Sequence, residues 1–279
     1  MNILQNISEK PGWIAELNLN FSKGKEKTFL SKRNHVGPLT VQRPFYPEGE
    51  ICHLYLLHPP GGIVGGDSLS VKSNSEEFSK ALVTMPGATK IYRTSLNRLS
   101  NLYQNIIVQN EAIMEWLPME TIIFPGAFSN ISTKFSLYGN AKIAAWEIQC
   151  LGRPAIKEKF TTGKINLNFE VWRDDKPIII DKFKVDESNL NNIAGLRGYP
   201  VVGTFILSVN DEVTIKKIRD LIPENDLYVA GVTQMDYLII IRFLSYKTNL
   251  IQEIFRNIWA KTRHLVVGRN ASPPRIWST

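Results

Sequence analysis

Apolar and polar residues alternate along much of the chain. From Trp13 to Phe21, the residues Trp13, Ala15, Leu17, Leu19 and Phe21 alternate with Ile14, Glu16, Asn18 and Asn20, the period-two signature of a strand with one face in a core. Ile165, Leu167, Phe169 and Val171 repeat the pattern against Asn166, Asn168 and Glu170. Further strand-like runs fall at 51–57, 68–73, 81–85, 102–108, 112–116, 134–138, 141–150, 178–184, 201–208, 227–232 and 236–243, separated by turn residues. Helical spacing appears twice, at Ile215, Ile218, Leu221 and Ile222 behind Asp211, and at Leu250, Ile251, Ile254, Phe255, Ile258 and Trp259 ahead of Gly268. The chain carries no Pro/Gly/Ser linker, low-complexity tract or internal repeat. The predicted fold is therefore mainly β, an antiparallel strand-rich single domain over residues 1–279 with a few helices near the C-terminal end.

Composition narrows the class. With 43% hydrophobic and 21% charged residues in 279, the chain has enough apolar surface for a sizeable core and is not disordered. No apolar run approaches the ~20 residues of a membrane helix. The start, MNILQNISEKPGW, lacks a basic stretch followed by an apolar one, so a cytoplasmic protein is expected. Cys52 and Cys150 are the only cysteines and neither lies in a CxxC pair, which argues against a disulfide scaffold and structural zinc. The formal charge is +7, and from Arg242 onward seven cations face a single acid, Glu253. Such a basic tail suits an acidic partner or a solvated helix face.

The candidate motifs resist an enzymatic reading. Residues 58–67, HPPGGIVGGD, crowd four glycines into six positions, but a phosphate-cradling loop needs a helix after the glycines and the alternating run from Ser68 follows instead. A strand, a tight glycine-rich turn and a second strand are expected there. Cys52 and His53 are neighbours on a strand and point to opposite faces, so they form no local dyad. His35, His58 and His264 have no metal-ligand spacing, and Gly-x-Ser-x-Gly is absent. Carboxylates in apolar surroundings are more informative, because burying an ionised acid is costly unless it is paired or functional. Asp67 closes the glycine-rich turn, Glu147 interrupts Ile143-Ala144-Ala145-Trp146, and Asp181 follows Ile178-Ile179-Ile180. Each is an ion-pair partner of an Arg or Lys such as Arg93 or Arg153, a residue on the wet face of a strand, or a functional acid.

Together, HPPGGIVGGD, the preceding Gly37-Pro38-Leu39-Thr40-Val41-Gln42-Arg43-Pro44-Phe45-Tyr46-Pro47-Glu48-Gly49, the run from Thr84 to Arg93, Glu115-Trp116-Leu117-Pro118, Leu151-Gly152-Arg153-Pro154 and the terminal Pro273-Pro274-Arg275-Ile276-Trp277-Ser278-Thr279 resemble the urease accessory protein family UreD, called UreH in some bacteria. Two local departures occur, Met119 in place of Gln and Lys157 in place of Gly. The resemblance implies a non-enzymatic, chaperone-type maturation factor that binds the accessory protein UreF, joins the GTPase UreG through it, and docks on urease apoprotein so that nickel reaches the urease site. It also implies part of an internal passage for the metal, with no tightly bound cofactor and nickel only in transit.

Nickel lies high in the Irving–Williams order, so several His or Cys ligands would hold it tightly. A conduit must also release, which suits spaced carboxylates, hydroxyls and carbonyls. Asp67, Glu147 and Asp181, with the hydroxyl of Thr89, are the candidate passage residues. Arg269, Arg275, Ile276 and Trp277 are the candidate partner-binding residues, since the prolines forbid a continued helix and an extended end would present them. The alternative fold of Trp277 back into this chain's own core stays open. Two other classes remain as rivals. A basic-tailed nucleic-acid or partner-binding module would need cations interleaved with exposed aromatics, and an unrecognised hydrolase would need perturbed titratable groups in a pocket.

Overall fold

The computed structural model describes residues 12–95 and 97–278. The leader expectation rests chiefly on residues 1–11 and so lies outside the described residues, as does Thr279 of the terminal motif. The chain opens with a hairpin of β1 (Ile14–Lys23) and β2 (Thr28–Val36), followed by the short β3 (Thr40–Val41). It then winds between two facing sheets. β4 (Cys52–Leu57) lies in the second sheet, β5 (Ser68–Ser75) in the first, and β6 (Lys80–Thr84) in the second; after the short β7 (Thr89–Ile91), β8 (Ser100–Val108) is again in the first. β9 (Ile113–Leu117), the short β10 (Thr121–Ile123), β11 (Ala127–Leu137), β12 (Lys142–Leu151) and β13 (Gly163–Arg173) continue the winding. β14 (Lys176–Val185) turns back on β13 as an edge strand. β15 (Val201–Leu207), α1 (Glu212–Asp220), β16 (Tyr228–Met235) and β17 (Leu238–Ser245) extend the second sheet, and α2 (Thr248–Val267) lies across it.

The result is a seven-stranded sheet, β14-β13-β11-β8-β5-β1-β2, facing a ten-stranded one whose main path is β16-β17-β15-β12-β9-β6-β4-β3. The expectation of an antiparallel protein is corrected here: both sheets are mixed. β1, β5, β8, β11 and β13 run parallel, as do β4, β6, β9 and β12. A chain that returns to a sheet after one excursion through the facing sheet re-enters in the same direction, and period-two alternation does not encode that direction. The in-register winding also stacks like on like: Asn101, Asn130 and Asn166 align across three strands and hydrogen-bond in series on the outer face.

Burial explains the sequence pattern. Strands of the first sheet bury one face and alternate strictly, as in β11. The second sheet is covered on both faces, by the first sheet and by the helices, which is why Ile239, Ile240 and Ile241 are all buried in succession. Between the sheets lie Leu17, Phe21, Ile106, Phe135, Met114 and Trp116. Beneath the helices lie Trp146, Phe205, Phe243, Phe255 and Trp259. Each such side chain contributes about 1.5–3 kcal/mol by leaving water. Both helices fall where the spacing places them. Asp211 caps α1 by accepting from the Val213 and Thr214 amides, and Gly268 ends α2 in the left-handed conformation. Among the described residues no helix is long and apolar enough to cross a membrane.

Candidate functional site

On β12, Ile143 and Ala145 face the inter-sheet core while Ala144, Trp146 and Ile148 face the helices. The same alternation turns Glu147 and Gln149 inward, two polar side chains on a face where apolar ones would pack. Two cavities lie against them. The larger, about 640 Å³, is lined by Glu147, Phe169, Asp181, Phe183, Thr204 and Arg242 among others. The smaller, about 30 Å³, is lined by His58, Met85, Thr89, Gln104, Thr121, Glu147 and Gln149 among others. Glu147 lines both, so it stands where they meet. It is half-buried, with the adjoining cavities leaving it some accessibility.

The setting of Glu147 is electrostatically unusual. Thr133 on β11 donates to its Oε2 at 3.1 Å, and Gln149 also hydrogen-bonds to it, but among the described residues no cation pairs with it. Burial pushes its carboxyl up to about 7, aided by the charge of Asp181, against the lowering by Thr133 and Gln149. Gln104 donates to Thr133 at 3.2 Å, extending the polar row along the inter-sheet space. Gln149 is 3% exposed, and its Oε1 has no hydrogen-bond partner among the described residues.

The other predicted passage residues are placed differently. Asp181, on the edge strand β14, lies at the larger cavity, half-exposed and paired with Arg242 at 2.5 Å. Thr89 lines the smaller cavity, its hydroxyl 3.8 Å from the Met85 sulfur. Asp67 lines neither of these two cavities. Its carboxylate accepts from the Trp13 and Val64 amides, each at 2.9 Å, and its charge reaches His58. It thereby ties the glycine-rich segment, which crosses from β4 in one sheet to β5 in the other. Glycine is required there: Gly66 has φ +95, and a Cβ on Gly62 would meet the Tyr92 ring at 2.2 Å.

The tail folds back. An extended terminus was expected, but residues 275–278 form a 3-10 turn. Trp277 packs edge-on against Trp259 with ring centres 5.2 Å apart, lies 5.5 Å from Trp146, and donates to the Thr84 hydroxyl at 3.0 Å. Arg256 covers its ring and bonds its carbonyl. Prolines end the helix, yet the apolar groove beneath α2 captures the residues that follow. Ile276 is half-buried, while Arg275 stays exposed and Arg269 pairs with Glu50 at 3.0 Å.

Sequence reasoning missed a second buried acid cluster. Arg263 on α2, fully buried, grips Glu115 through Nε and Nη2 at 2.8–3.1 Å and Glu48 at 2.5–2.7 Å. Trp259 donates to Glu115 at 2.7 Å, and His53 meets Glu48 at 2.7 Å. Against the upward push of burial, hydrogen bonds from His53 and Arg263 hold the Glu48 carboxyl down at about 2. The signal was present in Arg263, four residues from Trp259 on the apolar stripe of the predicted helix, and in Glu115 within Ile113-Met114-Glu115-Trp116-Leu117. Among the described residues, no group of three or more His, Cys, Asp or Glu side chains is arranged to hold a metal ion. The Glu147 region offers one carboxylate with amide and hydroxyl oxygens, a donor set suited to brief contact with a divalent cation.

A family model described as UreD urease accessory protein matches residues 14–278. Relatives carrying the name urease accessory protein UreD are similar over nearly their whole length. That of Enterobacter sp. (strain 638) is 44% identical over 268 residues, covering 96% of each chain. That of Klebsiella aerogenes is 42% identical over 270 residues, covering 97% of this chain and 98% of the relative. That of Pseudomonas putida (strain W619) is 40% identical over 268 residues, covering 96% and 95%.

Proposed function

Because the chain belongs to the UreD urease accessory protein family, we propose that it serves urease maturation by passing nickel toward the urease apoprotein through the polar space between its two sheets. It is an accessory protein, not a catalyst. In this reading it works in the cytoplasm as a scaffold joining UreF, and UreG through it, to urease. No cofactor stays bound, and nickel is cargo. The observation that carries the passage is the position of Glu147, which lines both cavities and turns two separate spaces into successive stations. Asp181 stands at the first and Thr89 at the second. Asp67 contributes by holding the crossing beside His58. Sparse oxygen ligands fit this task, since a site must admit an ion and then lose it.

The basic tail favours the maturation reading over nucleic-acid binding. Arg242 pairs with Asp181, Arg263 with Glu48 and Glu115, and Arg269 with Glu50, while Arg256 lies on Trp277. Much of the compositional excess thus meets acids contributed by the rest of the chain. Arg269, Arg275 and Ile276 are the tail residues we assign to partner docking. The test is genetic and analytical. Cells lacking this chain should accumulate urease protein that is nickel-poor and inactive, restored by the wild-type chain and poorly by Glu147→Leu. Fully loaded urease in the deletion would refute the maturation role, and full restoration by Glu147→Leu would refute the passage.

A further inference from the structure

Four crossings, residues 58–67, 92–99, 124–126 and 152–162, carry the chain from the second sheet to the first at one end of the molecule. Backbone bonds lace each to the next: the Tyr92 amide donates to the Ile63 carbonyl at 2.8 Å, Thr94 to Gly126 at 3.0 Å and Gly126 to Thr162 at 2.7 Å. The end is cationic. Arg93, Arg98, Arg153, Lys157 and Lys159 lie on the crossings against two acids, Asp67 and Glu158. Asp67 is buried, and Glu158 pairs with Arg153. Val64, Leu99 and Ile156 are exposed on the same crossings. Trp13 and Ile14 are exposed where the Trp13 carbonyl accepts from the Ser68 amide, at the end of the first crossing. The Tyr92 and Phe124 rings pack with centres 4.9 Å apart, and the Arg153 guanidinium covers Phe124.

A single exposed apolar side chain is ordinary, but a group of them beside aromatics and arginines has the composition of a protein interface. The charge of the crossings sets the sign of the partner. We infer that the crossing end is a docking face for an acidic protein surface, which in the reading proposed above belongs to the urease apoprotein. This deepens that reading and rests on it. His58 and Ile63 of the first crossing also line the smaller cavity with Thr89, so a protein seated here meets the second station of the proposed passage. The tail differs in its charge. Arg263 and Arg269 meet acids from this chain, whereas the crossings bring more cations than acids. A nucleic acid would call for open aromatic faces on which bases stack. Here Tyr92 and Phe124 pack on each other under Arg153, and Val64, Leu99 and Ile156 offer aliphatic surface that suits a protein partner.

Biolayer interferometry of the full-length protein against purified urease apoprotein, at low and at high sodium chloride, tests this. Wild-type affinity should fall about tenfold as salt rises through the range that screens surface charge. Arg93→Glu with Lys157→Glu and Lys159→Glu should weaken binding more than about tenfold at low salt and remove most of the salt dependence. Leu99→Ser with Ile156→Ser should weaken it about tenfold yet keep the salt dependence. Should the glutamate triple unfold, the triple Arg93→Gln, Lys157→Gln and Lys159→Gln removes the cations without adding acids and should still weaken binding severalfold. Binding of UreF should be unchanged in every folded variant. Absence of binding to urease apoprotein, unchanged affinity in a folded charge variant, or loss of UreF binding instead overturns the inference. So does binding of random duplex DNA that the charge variants abolish while urease binding persists. Its failure is separable from that of the maturation role. If the charge variants bind urease normally while cells lacking the chain hold nickel-poor urease, the docking face fails and the role stands. If they lose urease while those cells hold fully loaded urease, the role fails and the face stands.

Discussion

Carboxylates are enclosed on both faces of the second sheet. On the helix face, Glu115 and Glu48 share Arg263, with Trp259 and His53 completing the contacts. On the inter-sheet face, Glu147 meets only uncharged donors and adjoins cavities. The first arrangement returns in Coulomb attraction and hydrogen bonds what desolvation costs, and it ties α2, β9 and the segment before β4 into one block. The second offsets only part of the desolvation cost, through Thr133 and Gln149. Folding alone would favour an apolar residue at position 147, so an acid there is better explained by what the site does than by what it stabilises.

The sharpest way to break this contrast is to remove the shared cation. Arg263→Met keeps an unbranched apolar stem but leaves two buried acids without their cation, and we expect a loss of about 3–5 kcal/mol in urea denaturation. Adding Glu48→Gln and Glu115→Gln should recover much of it. A loss under ~1 kcal/mol would mean that the network is wetter than its burial suggests. Next in size is Trp277→Ala. Its ring is partly buried, so the loss should fall below the ~3–5 kcal/mol of a fully enclosed tryptophan, at roughly 2–3 kcal/mol read from thermal or urea unfolding. Unchanged stability with weakened binding to the accessory partners would instead make Trp277 an interface anchor. Arg275→Ala with Ile276→Ala probes docking without disturbing that ring.

How far these regions could be read from sequence depends on what each signal encodes. The alternation in 13–21 and 165–171 located two half-buried strands, and Glu147 stood out as an acid in an apolar run on a strand buried on both faces. Strand direction was not legible, because parallel and antiparallel strands share the same period. β2, β3, β7 and β10 escaped notice because β2 is a mostly exposed edge and the others are two or three residues long. Asp67 and Asp181 carry the same local signature as Glu147 but meet different fates: one caps a turn through backbone amides, and the other sits half-exposed on an edge strand. Gln149 went unnoticed because an amide in a strand breaks no charge rule, and only the cavity beside it gives it meaning.

Acid titration should separate the two regions by sign. Glu48, held down at about 2, contributes stability that is present above the unfolded carboxyl value near 4.5 and is lost as pH falls toward 2. Glu147, raised to about 7, does the reverse: it costs nothing while protonated below about 4.5, and its penalty grows as pH rises to about 7 and then levels off. Glu147→Gln should therefore stabilise the protein at pH 8 by roughly 1–3 kcal/mol, with no gain near pH 4. Denaturation midpoints across that range provide the measurement. Equal stability of variant and wild type at pH 8 would show that Glu147 is as well compensated as Glu48.

The smallest stability effect is expected at Asp181, where the contrast can be sharpened most finely. Its ion pair with Arg242 is half-exposed on both sides, and such pairs contribute about 0–1 kcal/mol, so Asp181→Asn should barely move the denaturation midpoint. Its influence on Glu147 should be plainer. The Asp181 charge favours the protonated Glu147 acid, and neutralising it removes that repulsion while leaving the Arg242 cation beside the same cavity. Both changes favour the Glu147 carboxylate. Its titration, followed by carboxyl carbon NMR in protein labelled at glutamate, should move to lower pH in Asp181→Asn and move back when Arg242→Gln is added. An unchanged Glu147 titration would mean that water in the larger cavity screens the two acids from each other, and the passage would then consist of independent stations.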